Sequence, residues 1–219
     1  KIKTADLLKE NIPIILSKIT WNKSMKWGNY NLFWGRPLKS ILSIYDGKKL
    51  DFNFNHLKSS NITFIDKELE EKTKGFSSFK SYNSFFKTQG VLIDQEKRKS
   101  FISNEIIKLS SKKKINIKLK KELLEEITNI VEKPKVLLCE FNKKYLMIPK
   151  EILIITMQNH QKYFPTFDNK DNLTNNFIVV ADKKDPKGFV KLGNERVIEA
   201  RLNDAEFFWK KNRSQNLVK

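Results

Sequence analysis

The apolar residues of this chain come in short runs, and their spacing switches repeatedly between the helical and the strand period. Near the start, Leu8, Ile12 and Ile15 lie three or four positions apart, which predicts a helix. Farther along, Asp46-Gly47, a dipeptide typical of a type I′ turn, separates two extended segments. Strands joined by turns this tight pair antiparallel, whereas a parallel sheet needs long crossovers. The pattern therefore predicts the α+β class, with antiparallel hairpins packed against helices.

In the first half of the chain the expected elements are short and closely spaced. A helix is predicted over residues 4–19, with Thr4 as its N-cap and with Pro13 kinking or restarting it. Residues 58–90 carry no clear period, although their several phenylalanines indicate that part of the stretch packs. Extended segments are expected at Asn31–Trp34, Leu38–Tyr45, Leu50–Phe54 and Val91–Ile93.

In the second half the expected elements are longer. Asp94 is a suitable N-cap for a helix that runs to about Leu109, and residues 110–118 are expected to form a solvated basic linker. We expect one α+β module over residues 1–193, then a helix over residues 194–219 that leads towards a further domain. The other predicted elements are a helix at Leu119–Val131, a hairpin of Lys135–Phe141 with Tyr145–Ile148, a helix at Glu151–Met157, a hairpin of Tyr163–Phe167 with Phe177–Ala181, and a final helix from about Asn194 to Asn212, which is expected to bury Val197, Ile198, Leu202, Ala205, Phe208 and Trp209.

The chain is strongly basic, since its 219 residues carry 43 Lys and Arg against 25 Asp and Glu, a net charge of +18. Basic surface attracts polyanions such as nucleic acid through steering and counterion release. Only five of these cations are Arg, however, and Lys, Asn and Ile share A/T-rich codons, so compositional drift explains the charge equally well. A lysine-rich surface suits diffuse contact with a phosphate backbone better than sequence readout.

The sequence lacks the features of several functional classes of protein. Its apolar runs are far shorter than the ~20 residues of a membrane helix, and a single cysteine excludes an internal disulfide. The two histidines, His56 and His160, lie too far apart for zinc-site spacing, and no nucleophile or phosphate-loop motif occurs. Cys139 lies in an apolar strand pattern, where a buried, inert thiol is expected. We therefore expect a cytoplasmic chain without membrane contact, metal site, cofactor or catalytic residues of its own.

Two clusters are unusual for a plain core. The first joins Lys26-Trp27-Gly28 to Phe33-Trp34-Gly35-Arg36-Pro37, which could stack against and clamp a nucleic-acid backbone. The alternative, which we favour, is aromatic packing in which Arg36 bonds nearby carbonyl groups. The second, Gln158-Asn159-His160-Gln161, separates an apolar helix from a strand. It suits a recognition loop, and helix capping with turn formation explains it almost as well.

Six blocks of sequence, in this order and with matching spacings, carry a resemblance to a known family. They are Met25-Lys26-Trp27-Gly28, Arg36-Pro37, Leu123–Pro134, His160–Pro165, Asn176–Ala181, and Gly193–Val197 continued through Arg201–Phe208. Together they resemble the β subunit of bacterial heterotetrameric (α2β2) glycyl-tRNA synthetase over about residues 7–216. One departure stands out. Where that family usually shows Gly-His-Arg-Phe, this chain has Asn61-Ile62-Thr63-Phe64, which puts any role of that loop in doubt.

The resemblance implies an enzyme that joins glycine to its tRNA using ATP and Mg²⁺, both of which act in the α subunit. It implies that this chain, which begins at Lys1 within a helix-like pattern, is a piece of the N-terminal half of the β subunit. That piece is similar to the B3/B4-type α+β module of the phenylalanine enzyme. The implied partners are the glycyl-tRNA synthetase α subunit and tRNA(Gly).

Cationic side chains within the matching blocks are the candidates for contact with RNA or with the partner subunit. They are Arg36, Lys162, Arg196 and Arg201. For the last two, pairing along the helix surface with Glu195, Glu199 and Asp204 is an alternative at least as good. Two other functions stay open for the whole chain. One is a scaffold of the assembly that scarcely touches tRNA, and the other is a generic polyanion binder whose likeness to the synthetase is vestigial.

Overall fold

The computed structural model describes residues 2–66 and 72–214, which divide into two compact units. The N-terminal unit comprises residues 1–85, and the C-terminal unit comprises residues 86–219. Residues 67–71 of the weakly patterned stretch 58–90, and residues 215–219 of the expected final segment, lie outside the described residues. The expected module boundary at residue 193 stays a prediction.

The N-terminal unit is built from helix α1 (Thr4–Ser17) and short antiparallel hairpins. Its core is formed by Leu50, Phe52 and Phe54, whose alternation directs all three to one side, where α1 packs against them. Helix α2 (Phe79–Thr88) follows. The hairpins pair β1 (Met25–Lys26) with β2 (Phe33–Trp34), β3 (Ile44–Tyr45) with β4 (Lys48–Lys49), β5 (Asn53–Phe54) with β6 (Leu57–Lys58), and β7 (Ile62–Asp66) with β8 (Lys72–Gly75).

The type I′ turn at Asp46-Gly47 is confirmed. Asp46 has φ 48° and Gly47 has φ 72°, the left-handed pair that this turn requires between β3 and β4. The return strand is Lys48–Lys49, however, and not the predicted Leu50–Phe54. A second hairpin, which turns at Asn55 (φ 52°), takes the end of that segment as β5. The sequence prediction missed it because Asn-His is a weaker turn signal than Asp-Gly.

Helix α1 differs from its prediction at two positions. It runs without interruption through Pro13, so the predicted restart does not occur. Thr4 is its first helical residue, while the N-cap position belongs to Lys3, whose side chain makes no capping bond. Within the weakly patterned stretch, Phe76 is buried as expected, but Phe79 is 71% exposed.

The C-terminal unit consists of three layers, with an antiparallel sheet between helices. Among the described residues the strand order in this sheet is β10-β12-β11-β9. Its elements are α3 (Gln95–Lys113), β9 (Asn116–Ile117), α4 (Lys121–Ile130), β10 (Lys135–Glu140), a 3₁₀ turn (Lys143–Met147), α5 (Lys150–Ile155), a π-helical turn (Thr156–His160), β11 (Phe164–Phe167), β12 (Leu173–Ala181) and α6 (Phe189–Ser214). The α+β class expected from the sequence is confirmed.

Each face of this sheet has its own hydrophobic cluster. On one face, Phe177 of β12 packs with Leu202 of α6 and Leu153 of α5. On the other face, the next residue, Ile178, packs with helices α3 and α4. Consecutive strand residues point to opposite faces, so the centre of β12 is buried on both sides. The predicted pairing of β11 with β12 and the predicted inward face of α4 are confirmed.

Two predicted connections of this unit are wrong. Lys135–Phe141 does not form a hairpin with Tyr145–Ile148, because β10 pairs along its whole length with β12 instead. Tyr145 lies in the 3₁₀ turn, where its hydroxyl donates to Asn203 Oδ1 at 2.6 Å. Residues 110–118 are not a linker, since α3 continues to Lys113 and β9 then pairs with β11. Pairing between distant segments overrode the local pattern in both places.

One further predicted strand does not form, and the final helix differs from its prediction. Val91–Ile93 forms no strand, because the Arg98 guanidinium donates to the Leu92 and Ile93 carbonyls and holds them as a loop. The final helix begins at Phe189 rather than near Asn194. It buries Ile198 and Leu202 fully and leaves Val197 and Phe208 mostly outside the core. Only one narrow face of α6 meets the sheet, so the predicted inward stripe was too wide.

Candidate functional site

The C-terminal helix α6 is anchored to the sheet by polar side chains at every fourth position. Glu195 accepts a hydrogen bond from the backbone N–H of Glu140 at 2.9 Å, and Glu199 accepts one from Asn142 N–H at 3.2 Å. One turn farther along, Asn203 accepts the Tyr145 hydroxyl proton. Residues four apart share one helix face, so these groups fasten α6 beside the end of β10. The sequence prediction missed this role, although the fourfold spacing of polar residues was a usable signal.

Arg196 and Arg201 lie on the same helix and are exposed. Within the part of the chain that the structure describes, neither guanidinium makes an ion pair or hydrogen bond. Their expected alternative partners, Glu195 and Glu199, are bonded to backbone N–H groups instead. Five helical positions separate the two arginines by about 140° around the axis, so they present two adjoining charges rather than one clamp.

Lys162 has a different environment. Its Nζ lies 2.9 Å from Glu126 Oε2 of α4, and the pair is about half-exposed. The residue has φ 60°, a left-handed conformation that lets the chain turn from the π-helical turn into β11 and that favours glycine. Because α4 and α6 cover opposite faces of the sheet, the structure does not bring Lys162 together with Arg196 and Arg201.

Arg36 belongs to the N-terminal unit and follows a cluster of packed indole rings. Trp27 Nε1 donates to the Trp34 carbonyl at 2.9 Å, and the Trp21 and Trp34 ring centroids are 4.9 Å apart. A Cβ on Gly35 would lie 2.7 Å from the Trp21 ring, so only glycine fits there. The favoured alternative is thus confirmed for the aromatic packing. Arg36 itself is exposed and bonds no carbonyl among the described residues.

The other two segments singled out from the sequence form regular structure. The polar run from Gln158 to Gln161 continues α5 as a π-helical turn, in which Gln158 is buried and His160 is exposed. The segment that departs from the family pattern, Asn61-Ile62-Thr63-Phe64, leads into and forms strand β7 rather than a loop. Neither segment presents a free loop to a partner.

Burial decides the chemistry of the potential nucleophiles. Cys139 is 1% exposed, and burial raises the pKa of its thiol to about 12. Burial likewise raises the pKa of Tyr163 to about 12, and its hydroxyl donates to Asn194 Oδ1 at 2.7 Å. Within residues 2–66 and 72–214 no group of His, Cys, Asp and Glu is placed to hold a metal ion. No helix in the same ranges is long and apolar enough to cross a bilayer.

These features define a basic α+β module whose exposed arginines and exposed aromatic rings suit contact with a polyanion. Its sequence relatives identify the family. The family described as glycyl-tRNA synthetase beta subunit matches residues 1–219. This chain belongs to that family, and the resemblance read from the six sequence blocks is confirmed.

Individual relatives are named as beta subunits of glycine–tRNA ligase. The chain is 37% identical over 215 residues to the glycine–tRNA ligase beta subunit of Rickettsia akari (strain Hartford), a match that covers 96% of this chain and 32% of that protein. It is 35% identical over 215 residues to the corresponding protein of Rickettsia felis (strain ATCC VR-1525 / URRWXCal2), covering 97% of this chain and 32% of the relative. The chain thus spans about a third of the length of the curated relatives that it matches.

Proposed function

We propose that this chain is part of a glycine–tRNA ligase β subunit, and that it supports ATP-dependent attachment of glycine to tRNA(Gly) by binding the tRNA and an α subunit. The observation that carries this proposal is the family match over residues 1–219. In the proposal the chain is non-catalytic and holds no cofactor. ATP and Mg²⁺ act in the α subunit of a cytoplasmic α2β2 enzyme. The inert Cys139 thiol agrees with this division of labour.

The candidate RNA or subunit contacts are the exposed arginines Arg36, Arg196 and Arg201. An exposed guanidinium with no partner among the described residues can bind a phosphate in bidentate fashion without first breaking an internal bond. Lys162 is already paired with Glu126, so it would have to give up that pair to contact RNA. We therefore place Lys162 last among the four candidates.

The decisive experiment for the activity is reconstitution. The full-length β subunit that contains this chain, mixed with the α subunit, should charge tRNA(Gly) with glycine in the presence of ATP and Mg²⁺. Glycylation is measured as radiolabelled glycine retained on precipitated tRNA. Absence of charging by the purified, assembled pair would refute the ligase assignment.

The role of α6 is tested in the same complex with a double variant, Arg196→Gln/Arg201→Gln. Log affinity falls as log salt rises, and each lost phosphate contact should make this negative slope shallower by about 0.9. The double variant should therefore make it shallower by nearly 2. The matched control is Lys191→Gln/Lys210→Gln, which removes the same charge from the same helix. Those lysines are already paired with Glu195 and Glu206, so a smaller change is expected.

Two other functions predict different results. A scaffold would charge tRNA normally, and both double variants would bind tRNA with unchanged affinity and salt slope. A generic polyanion binder would bind an unrelated tRNA as tightly as tRNA(Gly) at every salt concentration. Equal affinities for the two tRNAs in the assembled complex would therefore contradict our proposal.

A further inference from the structure

An open groove of about 540 Å³ lies within the N-terminal unit, between the end of α1 and the β1–β2 and β5–β6 hairpins. Its volume is in the range that small-molecule sites occupy. Its aromatic walls include Trp21, Phe33 and Phe54. Its polar lining consists of serine and asparagine side chains, and every lining residue that the structure describes is uncharged. The groove therefore combines ring surfaces with neutral hydrogen-bonding groups.

Two of the three asparagines that line this groove have a carbonyl oxygen that already accepts a hydrogen bond. Asn31 Oδ1 accepts from Lys26 Nζ at 3.0 Å, which engages one of the two lone pairs of its oxygen. Asn55 Oδ1 accepts from the backbone N–H of His56 at 3.0 Å and lies 3.2 Å from the His56 ring. An amide whose oxygen is engaged still has two N–H groups to donate. Acceptors on a ligand, such as a base carbonyl or ring nitrogen, can therefore bond these N–H groups without displacing an internal contact.

Positive charge lies beside the ring surfaces. The Lys26 ammonium group lies 5.7 Å from the centroid of Phe33, whose ring is 58% exposed. Next to the groove, Tyr30 stacks on His56 with 3.6 Å between centroids and 6° between planes, and Tyr30 is half-exposed. Aromatic faces beside a lysine are the arrangement that holds a base and its phosphate in single-strand binding sites.

From these contacts we propose that the groove binds an unstacked nucleotide of single-stranded RNA. The base stacks on Phe33 and the neighbouring aromatic rings, its acceptor edge takes hydrogen bonds from the amides of Asn31 and Asn55, and its phosphate meets Lys26. This inference rests on the proposed tRNA role and extends it, since it assigns a particular surface and a particular RNA conformation.

An extended peptide is the other occupant that a groove of this size could take. A peptide backbone brings donors and acceptors in equal number, so its donors would share the Asn31 and Asn55 oxygens with the partners that those oxygens already have. An RNA base edge and phosphate bring acceptors to these donors, and the phosphate complements Lys26.

The test uses the full-length β subunit assembled with the α subunit, and a hexamer of uridine as the single-stranded probe. Affinity is measured by fluorescence anisotropy at low salt. Phe33→Ser should weaken hexamer binding about fivefold or more, because one base loses its stacking surface. Lys26→Gln should reduce the slope of log affinity against log salt by about 0.7, the value for one phosphate of a single strand.

A second variant and a matched control keep the test independent of folding. Asn31→Asp conserves shape but replaces the donor amide with a carboxylate, so it should also weaken hexamer binding. Ile62→Ser makes a change similar to Phe33→Ser, at a 45% exposed residue of β7 in the same unit that does not line the groove. It should leave hexamer affinity unchanged. Photo-crosslinking of a 4-thiouridine hexamer should label the peptide that contains Asn31 and Phe33.

The outcomes separate the groove from the wider tRNA role. Hexamer binding that is equal in wild type, Phe33→Ser and Asn31→Asp overturns the groove assignment. So does a wild-type complex that binds and charges tRNA(Gly) but not the hexamer, which leaves the proposed function intact. A complex that binds neither RNA refutes the tRNA role itself. Loss of α-subunit assembly in Phe33→Ser, with hexamer binding retained, would assign the groove to a protein segment and overturn our inference.

Discussion

The two units bury their apolar residues in different ways. In the C-terminal unit a strand such as β12 is covered on both faces, and Phe177 and Ile178 are fully buried. In the described part of the N-terminal unit the strands form two-stranded hairpins with a small cluster around Phe52, and α1 contributes partly buried side chains only. Two-stranded hairpins are marginal by themselves, because they have little surface to bury. Phe33 lies in one of these hairpins and is 58% exposed.

The candidate contacts of the two units also have different surroundings. The C-terminal unit presents Arg196 and Arg201 on a helix that is firmly anchored, whereas the N-terminal unit presents Arg36 together with aromatic rings and amides around a groove. Each unit also contains its own spectroscopic or chemical probe. Trp21, Trp27 and Trp34 report on the N-terminal unit, and the Cys139 thiol reports on the C-terminal unit. The following variants use these probes. Fluorescence variants also contain Trp209→Phe, which removes the tryptophan of the C-terminal unit.

The largest effect is expected from Phe177→Ala, which empties a site at the centre of the two-sided sheet. Such a truncation should lower the free energy of unfolding by about 3–5 kcal/mol. It is measured as the shift in urea midpoint of Cys139 alkylation, since the buried thiol reacts only when this unit opens. Phe208→Ala is the control in the same unit, because that ring is 60% exposed and should contribute below about 0.5 kcal/mol. Equal shifts would contradict the three-layer core.

Glycine to alanine should act with opposite sign in the two units. Gly35→Ala drives a Cβ into the Trp21 ring and should destabilise the N-terminal unit by about 1–3 kcal/mol. Gly193→Ala meets no atom within 4 Å in α6 and should stabilise the C-terminal unit by about 0.5–1 kcal/mol. Tryptophan fluorescence follows the first and Cys139 alkylation the second. Shifts of the same sign would refute this account of both glycines.

A smaller effect is expected from the bond that fastens α6. Tyr145→Phe leaves Asn203 Oδ1 without its donor and should lower the free energy of unfolding by about 1 kcal/mol. Cys139 alkylation in urea measures it. Tyr45→Phe, at a half-exposed residue of β3, makes the same change in the N-terminal unit, where tryptophan fluorescence should show no shift. An unchanged midpoint for Tyr145→Phe would mean that this hydrogen bond contributes nothing to the anchoring of the helix.

The smallest expected effect is the loss of stability at acid pH. The backbone N–H of Lys97 lowers the pKa of Asp94, and the backbone N–H and side chain of Asn172 lower that of Asp168, both below the usual 3.8. A lowered pKa stabilises the fold above the usual value, and that contribution is lost as pH falls through the lowered one. The stability of the C-terminal unit should therefore fall below about pH 4, which is measured by Cys139 alkylation after brief exposure to acid. The double variant Asp94→Asn/Asp168→Asn should make stability depend less on pH. An unaltered pH profile would mean that other groups cause the loss of stability.

Much of the fold was readable where the signal is local. The Asp46-Gly47 turn, the Asp94 cap and the inward face of α4 follow from steric limits and periodicity within a few residues. The errors occur where a distant segment competes. Residues 145–148 are apolar enough for a strand, yet β12 provides a longer partner for β10, and Tyr145 turns to meet α6.

The sequence predicted which residues are candidates for contact, but not which of them are paired within the fold. The sequence identified Arg36, Lys162, Arg196 and Arg201 as cations within the family blocks, and their positions in the sequence could not reveal which were paired. Glu126 engages Lys162, while Glu195 and Glu199 are bonded to backbone N–H groups and leave the α6 arginines exposed. The groove beside Phe33 draws its lining from α1, two hairpins and the loops between them, so no local pattern could show it.

The sequence by itself determined the class and the family, because turn dipeptides, periodicity and ordered blocks are properties of nearby residues. Only the tertiary structure decided which side chains are free to bind. Whether a charge is exposed, and whether an amide still has a group to donate, depends on what a distant segment places beside it. That dependence separates Lys162 from Arg196, two cations within family blocks that the sequence treated alike.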